Sequence, residues 1–374
     1  MPELRLLADD LTGALDTAAE FTGATGPVAV FSASVLPQIL PPSAAIDSAT
    51  RERDAATASL ATARLAPLLA PAAARISYCK LDSLLRGHPA RAIAACLAAT
   101  PFRTCIIAPA FPFQHRATRA GLQYALSPER PGRTGPDLRA DLAALGLPLT
   151  LARPGDPVPA GVSLWDAETD TDLAHIAAAG LALPEPPLWC GSAGLAAALG
   201  RPSTITAPPP LPLLGLFGSD HPVTAAQLRA ASPHHLPLPD ASPASIAALA
   251  ARLAATAIAL VSFALPPGLP RPVAAARIAS ETNRLLAALP HPGSLLVSGG
   301  ETLRAVSSSL GATHLQVLGR LMPGVPVSLL RGSRWDSLPL ISKSGAFGDE
   351  SLLARLAAAA LSPPALAPCR NARP

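Results

Sequence analysis

The only two lysines of this chain, Lys80 in KLDSLLRG and Lys343 in SKSGAFGD, stand out because arginine supplies every other side-chain cation apart from histidine. A guanidinium is a planar fork and an ammonium a compact charge on a flexible stem, so a kept lysine marks a place where the compact charge matters. Both lie beside glycine and serine. KLDSLLRGH also packs Lys80, Asp82, Ser83, Arg86 and Gly87 into one turn-sized segment. Two cations flanking an acid and a hydroxyl suit a small polyhydroxylated anion: Arg86 forks onto a carboxylate while Asp82 and Ser83 bind hydroxyls. A surface ion pair between Asp82 and Arg86 at helical spacing is the competing explanation.

In ADDLTGALDTAAEF, Asp9 and Asp10 follow an apolar run and precede Thr12, Gly13 and Asp16. Adjacent carboxylates at a strand end can serve substrate hydroxyls or Mg²⁺, or one of them can cap the following helix. APAFPFQHRATRAG offers Gln114, His115, Arg116 and Arg119, with Arg116 able to reach a second anionic group. His115 reads as a solvated loop residue rather than a proton shuttle.

Glycine-rich turns follow further apolar runs. Gly191, Ser192, Ala193 and Gly194 form either an anion site at a helix start or a close-packed turn. GSDHPVTAAQL, SGGETLRAV and KSGAFGDESLL set glycine with serine or threonine between a strand and a helix, where backbone amides can wrap phosphate oxygens. None of them fits GxxxxGK[ST] or GxGxxG, so a P-loop and a dinucleotide fingerprint are both excluded.

The elements that must carry these motifs are short apolar runs alternating with alanine-rich helical stretches. Strands are expected at 4–8, 75–79, 104–110, 213–219, 257–264, 294–300, 325–330 and 338–345, and helices at 12–21, 54–70 and 88–99. This alternation predicts an α/β protein whose mostly parallel sheets are flanked by helices, with ligands at the carboxyl ends of the strands. At 374 residues two domains are expected. The proline-rich stretch 201–212 divides the chain into 1–205 and 206–374, with a ligand cleft between the two domains.

Composition narrows the function classes. A net charge of +4 comes from scattered arginines, with no basic run interleaved with aromatics, so nucleic acid is not an expected partner. Five cysteines without CxxC or Cys/His spacing read as reduced, mostly buried thiols and not as a metal site. No apolar run is long enough to span a bilayer, and MPELRLLADD reads as a strand rather than a leader. A cytoplasmic protein without membrane partners is expected, with a homodimer left open.

The ordered set ADDLTGALDTAAEF, IDSATRERDAA, KLDSLLRG, APAFPFQHR, DAETDTDL, GSAGLA, GSDHPVTAAQL, SGGETLRAV, PGVPVSLLRG and KSGAFGDESLL resembles the four-carbon acid sugar kinase family from Leu4 to about Leu353. The resemblance implies that 1–205 binds a sugar acid, that 206–374 binds ATP, and that phosphate passes to the C4 hydroxyl of a threonate, erythronate or 3-oxo-tetronate. It carries acid-sugar positions onto Asp9, Asp10, Lys80, Asp82, Ser83, Arg86 and Arg116. It carries ATP positions onto Ser219, Ser298, Gly299, Gly300, Glu301 and Gly345. Leu15, Leu84, Leu85, Gln114, His115 and Glu301 depart from the family's usual residues, mostly in the acid-sugar half.

The mechanism expected from this resemblance places the ATP phosphates on the amides of Gly299, Gly300, Ser344 and Gly345. Lys343 stands near the transferring group and Mg²⁺ bridges oxygens. Asp10 or Asp82 orients or deprotonates the hydroxyl, while Lys80 and Arg86 hold the carboxylate. A non-catalytic sensor of the same fold is the rival reading.

Overall fold

The computed structural model describes residues 3–126, 131–266 and 268–362; Cys369 lies outside them. The chain forms two compact units, one from residues up to Ile205 together with Gly311–Ser337, the other from Thr206–Leu310 and the segment that starts at Leu338.

In chain order the elements up to residue 205 are β1 (Leu4–Ala8), α1 (Leu11–Thr25), β2 (Val28–Ser32), β3 (Ser43–Asp47), α2 (Ala55–Leu65), β4 (Ile76–Lys80), α3 (Pro89–Ala99), β5 (Thr104–Ala108), β6 (Arg116–Arg119), β7 (Leu122–Ala125), β8 (Gly132–Arg133), α4 (Leu138–Ala144), β9 (Leu149–Ala152), β10 (Gly161–Trp165), α5 (Asp170–Leu181), β11 (Leu188–Gly191) and α6 (Ala193–Leu199). After residue 205 come β12 (Leu213–Phe217), α7 (Pro222–Ala230), β13 (His235–Leu238), α8 (Pro243–Thr256), β14 (Ile258–Phe263), α9 (Arg271–Ala288), β15 (Ser294–Ser298), α10 (Gly300–Ser309), β16 (His314–Met322), β17 (Val325–Arg331), β18 (Pro339–Lys343) and α11 (Leu352–Leu361).

In the first unit the strand order is β17-β16-β2-β3-β1-β4-β11-β5-β10-β9, parallel from β2 to β9. These strands are nearly continuous apolar runs, as a sheet covered on both faces requires. One face buries Leu7, Ile46, Cys79, Ile107 and Cys190 against Leu65, Ile93 and Leu142 of α2, α3 and α4. Arg5 breaks the run LRLLA but satisfies its charge on the carbonyls of Leu4, Pro41 and Pro42. The second unit has the all-parallel order β13-β14-β12-β15-β18, with α9 packed on α10 and α7 on α11.

One expectation needs correction, and one choice left open is decided. Strand 325–330 was assigned to the parallel series of 206–374; it is instead β17, antiparallel to β16, and Gly311–Ser337 belongs to the first unit. The cause is the antiparallel register of β16 on β2, Leu315 opposite Val30, which adds the hairpin to the first sheet. The GSAG turn is close packing and not an anion site. Buried Ser192 donates to the Ala110 carbonyl and accepts from Gly194, and Cβ atoms at Gly191 or Gly194 would press on the carbonyls of Ala108 or Ala110.

Helix α1 starts at Asp10, whose side chain accepts from the Gly13 amide, and ends at Gly26 with φ of 72°. The cap and the positive-φ glycine set both ends of the helix. Its carboxyl half lies tight against 200–203, where the Gly23 amide donates to the Arg201 carbonyl and Gly200 faces the Glu20 carbonyl with no room for a Cβ. Gly200→Ala should therefore cost about 1–3 kcal/mol, read as a lower urea midpoint; an unchanged midpoint would contradict the contact.

Candidate active site

In each unit the strand order reverses beside a strand that feeds polar loops. From β1 the chain goes outward to β2 and returns through β3, then crosses to β4. From β12 it goes outward to β13 and returns through β14, then crosses to β15. Loops leaving neighbouring strands in opposite directions open a crevice at their carboxyl ends, the usual place for a ligand in such sheets. The loops after β1 and β4 carry Asp9, Asp10 and Asp82. Those after β12 and β15 carry Ser219, Gly299 and Gly300.

In the first unit the crevice is a charge cluster built around Arg51. Segment 48–51, after β3, is stitched to β1 by Ser48 Oγ on the Ala8 carbonyl and by the amides of Thr50 and Arg51 on the Asp9 carbonyl. Arg51 is thereby aimed at three carboxylates. Its Nε and Nη2 donate to Asp9 at 3.0 and 2.6 Å, and Nη2 lies 2.7 Å from Asp10 and 3.7 Å from Asp82. Burial opposes the guanidinium's charge, but the three acids more than offset it and its pKa rises. Burial also raises the Asp9 carboxyl, against the pull of Arg51.

Asp82 is tied to the KLDSLLRG loop itself. Its Oδ1 accepts from the amides of Leu84 and Arg86 and from Arg86 Nε, and its Oδ2 lies 2.6 Å from Arg86 Nη2. Burial would raise this carboxyl, yet Arg86, Arg51 and Lys80 hold it well below the usual carboxylate range. The ion pair read from the sequence as a competing explanation is real, and it sits inside the site. Arg86 remains more than half exposed. Lys80 is buried, its Nζ donating to the Leu81 carbonyl at 2.8 Å and lying 3.4 Å from where a Gly13 Cβ would stand. Asp10 is both N-cap and site residue, with Thr12 Oγ1 donating to its Oδ2 at 2.6 Å.

Ser83 is half-buried in the same loop, its carbonyl held by Gln123. Arg116 opens β6, with its buried Nε unpartnered and its guanidinium within electrostatic reach of Asp82 and Arg86. Arg51 was missed as a site residue by sequence reasoning. Its signal was present: SAAID is an apolar strand running into polar residues, and Arg51 follows directly, but too short a run hid the strand.

In the second unit β12, β15 and β18 align Phe217, Ser298 and Lys343 at one level, so their three loops emerge side by side. Gly299 has φ of 104°, which a side chain would not tolerate, and its amide donates to the Lys343 carbonyl. That amide is therefore not free for phosphate, contrary to expectation. The amides of the first turn of α10, from Gly300 to Thr302, have no carbonyl of the helix before them and remain available. Gly345 faces Ser219 so closely that a Cβ would strike its hydroxyl. Ser344 is half-buried beside it, and exposed Glu301 turns its carboxylate to Arg304 at 2.9 Å.

Lys343 lies beneath these loops rather than at their mouth. It is 1% exposed, and its Nζ reaches Ser298 Oγ at 3.3 Å and Thr224 Oγ1 and the Gly345 carbonyl at 3.4 Å. Thr224 Oγ1 also donates to the Gly345 carbonyl at 2.9 Å. Among the described residues its hydrogen-bond partners are all neutral oxygens, and burial lowers its pKa to about 8. A buried cation without a paired acid is costly and draws an anion to it.

Among the described residues no group of three or more His, Cys, Asp or Glu side chains is arranged to hold a metal ion, and no helix is long and apolar enough to cross a membrane. Cys79, Cys96, Cys105 and Cys190 are free and buried.

Comparison with known proteins matches residues 4–144 to a sugar-binding N-terminal domain and residues 214–353 to a nucleotide-binding C-terminal domain. A D-threonate kinase of Cupriavidus necator is 32% identical, with 93% of this chain and 95% of that protein covered. D-threonate kinases of Bordetella bronchiseptica and Salmonella typhimurium are 29% and 26% identical over similar shares, 96% and 97% for the first and 93% and 96% for the second. Among solved structures, a Salmonella typhimurium LT2 protein described as a tRNA synthase superposes with a TM-score of 0.73 at 21% identity, covering 95% of this chain and 98% of that one. A Haemophilus influenzae protein does so with 0.68 at 19%, covering 96% and 100%. These two likenesses bear on the fold alone.

Fold and domain matches together define a two-domain small-molecule kinase, an ATP-dependent phosphotransferase acting on sugar acids. The chain belongs to the four-carbon acid sugar kinase family.

Removing Arg51 leaves three carboxylates facing one another. Arg51→Met should cost about 3–5 kcal/mol near pH 8, measured by urea unfolding. The carboxyls freed in the variant take protons as pH falls, which relieves their repulsion, while the parent keeps the contribution of its depressed Asp82 down to the ordinary carboxylate range; the gap should narrow toward about pH 5. A gap that widens on acidification would refute the clamp.

Proposed function

We propose that this chain transfers the γ-phosphoryl group of ATP to the terminal C4 hydroxyl of a four-carbon sugar acid, with D-threonate the first candidate and erythronate or a 3-oxo-tetronate the alternatives. The observation that carries the reading is the contrast between the two strand-end crevices of one chain. One is a balanced cluster of acids and cations fit for a small hydroxylated anion. The other is a set of glycine turns around an uncompensated ammonium, fit for a phosphate chain. The names of the three bacterial relatives support the substrate class.

In this reading the first unit, residues up to 205 with 311–337, binds the sugar acid, and the second, 206–310 with the segment from 338, binds the nucleotide. Arg86, exposed enough to turn, and Lys80 take the substrate carboxylate, with Arg116 adding charge. Asp9, Asp10 and Ser83 orient hydroxyls. Asp10 and Asp82, already engaged by Arg51 and Arg86, position groups rather than collect protons. The first-turn amides of α10 and the turn Ser344–Gly345 hold phosphate oxygens, with Ser219 and Ser298 lining the cradle. Lys343 neutralises the phosphates from below.

Phosphoryl transfer asks of the protein chiefly alignment and charge neutralisation. Asp9, Asp10 and Asp82 are paired with arginine, so any Mg²⁺ would be carried by the nucleotide rather than held by these acids. When bound it neutralises charge at the transferring group. Unbridged thiols such as Cys105 and Cys190, 3.6 Å apart, fit a reducing cytoplasm.

An ADP-release assay over D-threonate, L-threonate, the erythronates and their 3-oxo forms tests the reading, with the esterified carbon located by phosphorus–carbon coupling in the product. Turnover of at least one tetronate with phosphate on C4 is expected. Binding without turnover of any of them would sink the kinase assignment for this chain.

Lys343 yields a separate expectation. Phosphate oxygens stabilise its ammonium, so ATP binding near pH 8 should take up a fraction of a proton, seen by calorimetry in buffers of different ionisation enthalpy. ATP affinity should fall as pH rises through about 8. Lys343→Met should abolish the uptake; a variant with the same uptake would remove Lys343 from the site.

A further inference from the structure

We propose that Asp16 is the group that accepts the proton of the substrate hydroxyl, and that Glu20, one turn further along α1, positions it by sharing one proton with it. The base role rests on the sugar-acid kinase reading above; the shared proton does not.

Asp10, Gly13, Asp16 and Glu20 follow at spacings of three, three and four residues, which places them along one face of α1. The absent side chain of Gly13 leaves a gap over which the Lys80 ammonium lies. Asp16 is therefore the next acid past that ammonium. Of the site's other acids, Asp9 and Asp10 are engaged by Arg51 and Asp82 by Arg86. Asp16 has no such ion pair and keeps part of its surface exposed, whereas Glu20 is 1% exposed and out of reach of a substrate.

The oxygens of this pair need a proton. Asp16 Oδ1 and Glu20 Oε2 are both buried and have no hydrogen-bond partner. The other oxygen of Glu20 is occupied by the Arg320 guanidinium of β16. Two ionised carboxylates at this spacing would leave two buried acceptors empty and set like charges against each other. A single proton on Glu20 Oε2, donated to Asp16 Oδ1, fills both vacancies and leaves Asp16 ionised.

The electrostatics agree. Burial raises the Asp16 carboxyl to about 6 and the Glu20 carboxyl to about 8, the second further raised by the charge of Asp16. Lys80 of β4 and Arg320 of β16 favour ionised Asp16, Asp10 opposes it, and the Gly324 amide in the turn after β16 favours it. Of the other elements packed on α1, α6 and β2 carry no charged residue. β1 carries Arg5, bonded to the carbonyls of Leu4, Pro41 and Pro42, and β3 carries Asp47, bonded to the Ala49 amide. β17 carries Arg331, bonded to Gln316, and Tyr78 of β4 lies within electrostatic reach of Glu20. Near neutral pH the pair holds one proton, on Glu20. In the reaction the C4 hydroxyl oxygen forms its bond to the γ-phosphorus as the bond to the β–γ bridging oxygen breaks. The hydroxyl proton passes to Asp16 and then to solvent, and ADP leaves.

The test reads kcat against pH for the tetronate found active, alongside the infrared band of protonated carboxyl. The parent should lose kcat as pH falls through about 6, where Asp16 takes a proton. Asp16→Asn should lower kcat by about 10²–10⁴ with KM values little changed, and its residual rate should lack that acid limb. Glu20→Gln can still donate to Asp16 and should keep more kcat than Glu20→Leu, whose acid limb should move to higher pH because ionised Asp16 has lost its donor. Near neutral pH the parent should show a buried protonated carboxyl that Glu20→Gln lacks. An active parent whose Asp16→Asn variant has equal kcat, or is changed in KM alone, overturns the base; absence of the Glu20-dependent band overturns the shared proton. A parent inactive on every sugar acid overturns the functional reading and the base role with it, and the band still decides the pair.

Discussion

Arg51 holds three carboxylates at the ends of β1 and β4, and the crevice of the first unit depends on that clamp. Asp9, Asp10 and Asp82 would repel one another if brought together alone, and burial works against the charge of Asp9 and Asp82. The guanidinium offsets this repulsion and fixes the three acids in one array, because its fork spans more than one acid while staying charged at any working pH. The cluster remains near balance once buried Lys80 and exposed Arg86 are counted.

The second unit reaches its electrostatic state by the opposite means. There a lone ammonium is enclosed by two hydroxyls and a carbonyl, and the glycine turns above it expose amides instead of side chains. Leaving a buried cation uncompensated costs stability, a cost that a bound anion would relieve. Both lysines that the sequence singles out thus turn out to be buried. One is set among acids, the other only among neutral oxygens, and the difference in partners separates their roles.

Much of the fold was legible. Eight of the apolar runs read as strands are strands, several with both ends nearly right, because parallel strands covered on both faces show unbroken apolar character. The ones overlooked explain themselves. β3 ends in Asp47 after a short alanine-rich run, so Arg51 was given no role although IDSATRERDAA, which contains it, was among the motifs read. The hairpin of β16 and β17 was assigned to the wrong half, since nothing local in VPVSLL reveals that its partner β16 pairs with β2, nearly three hundred residues earlier in the chain. Lys343 was recognised as important, but whether its stem turned toward the ligand or inward was invisible.

The sequence by itself determined which residues are chemically able, where the strands end, and that glycine turns and acid loops sit at those ends, because propensity and burial pattern are local properties of the chain. Only the tertiary structure decided which of those groups face one another: Arg51 against three acids, Lys343 beneath its loops, Glu20 between Asp16 and Arg320. Such pairings set every charge state in the site. They arise from contacts across long sequence separations and from desolvation, and neither is written in residue order.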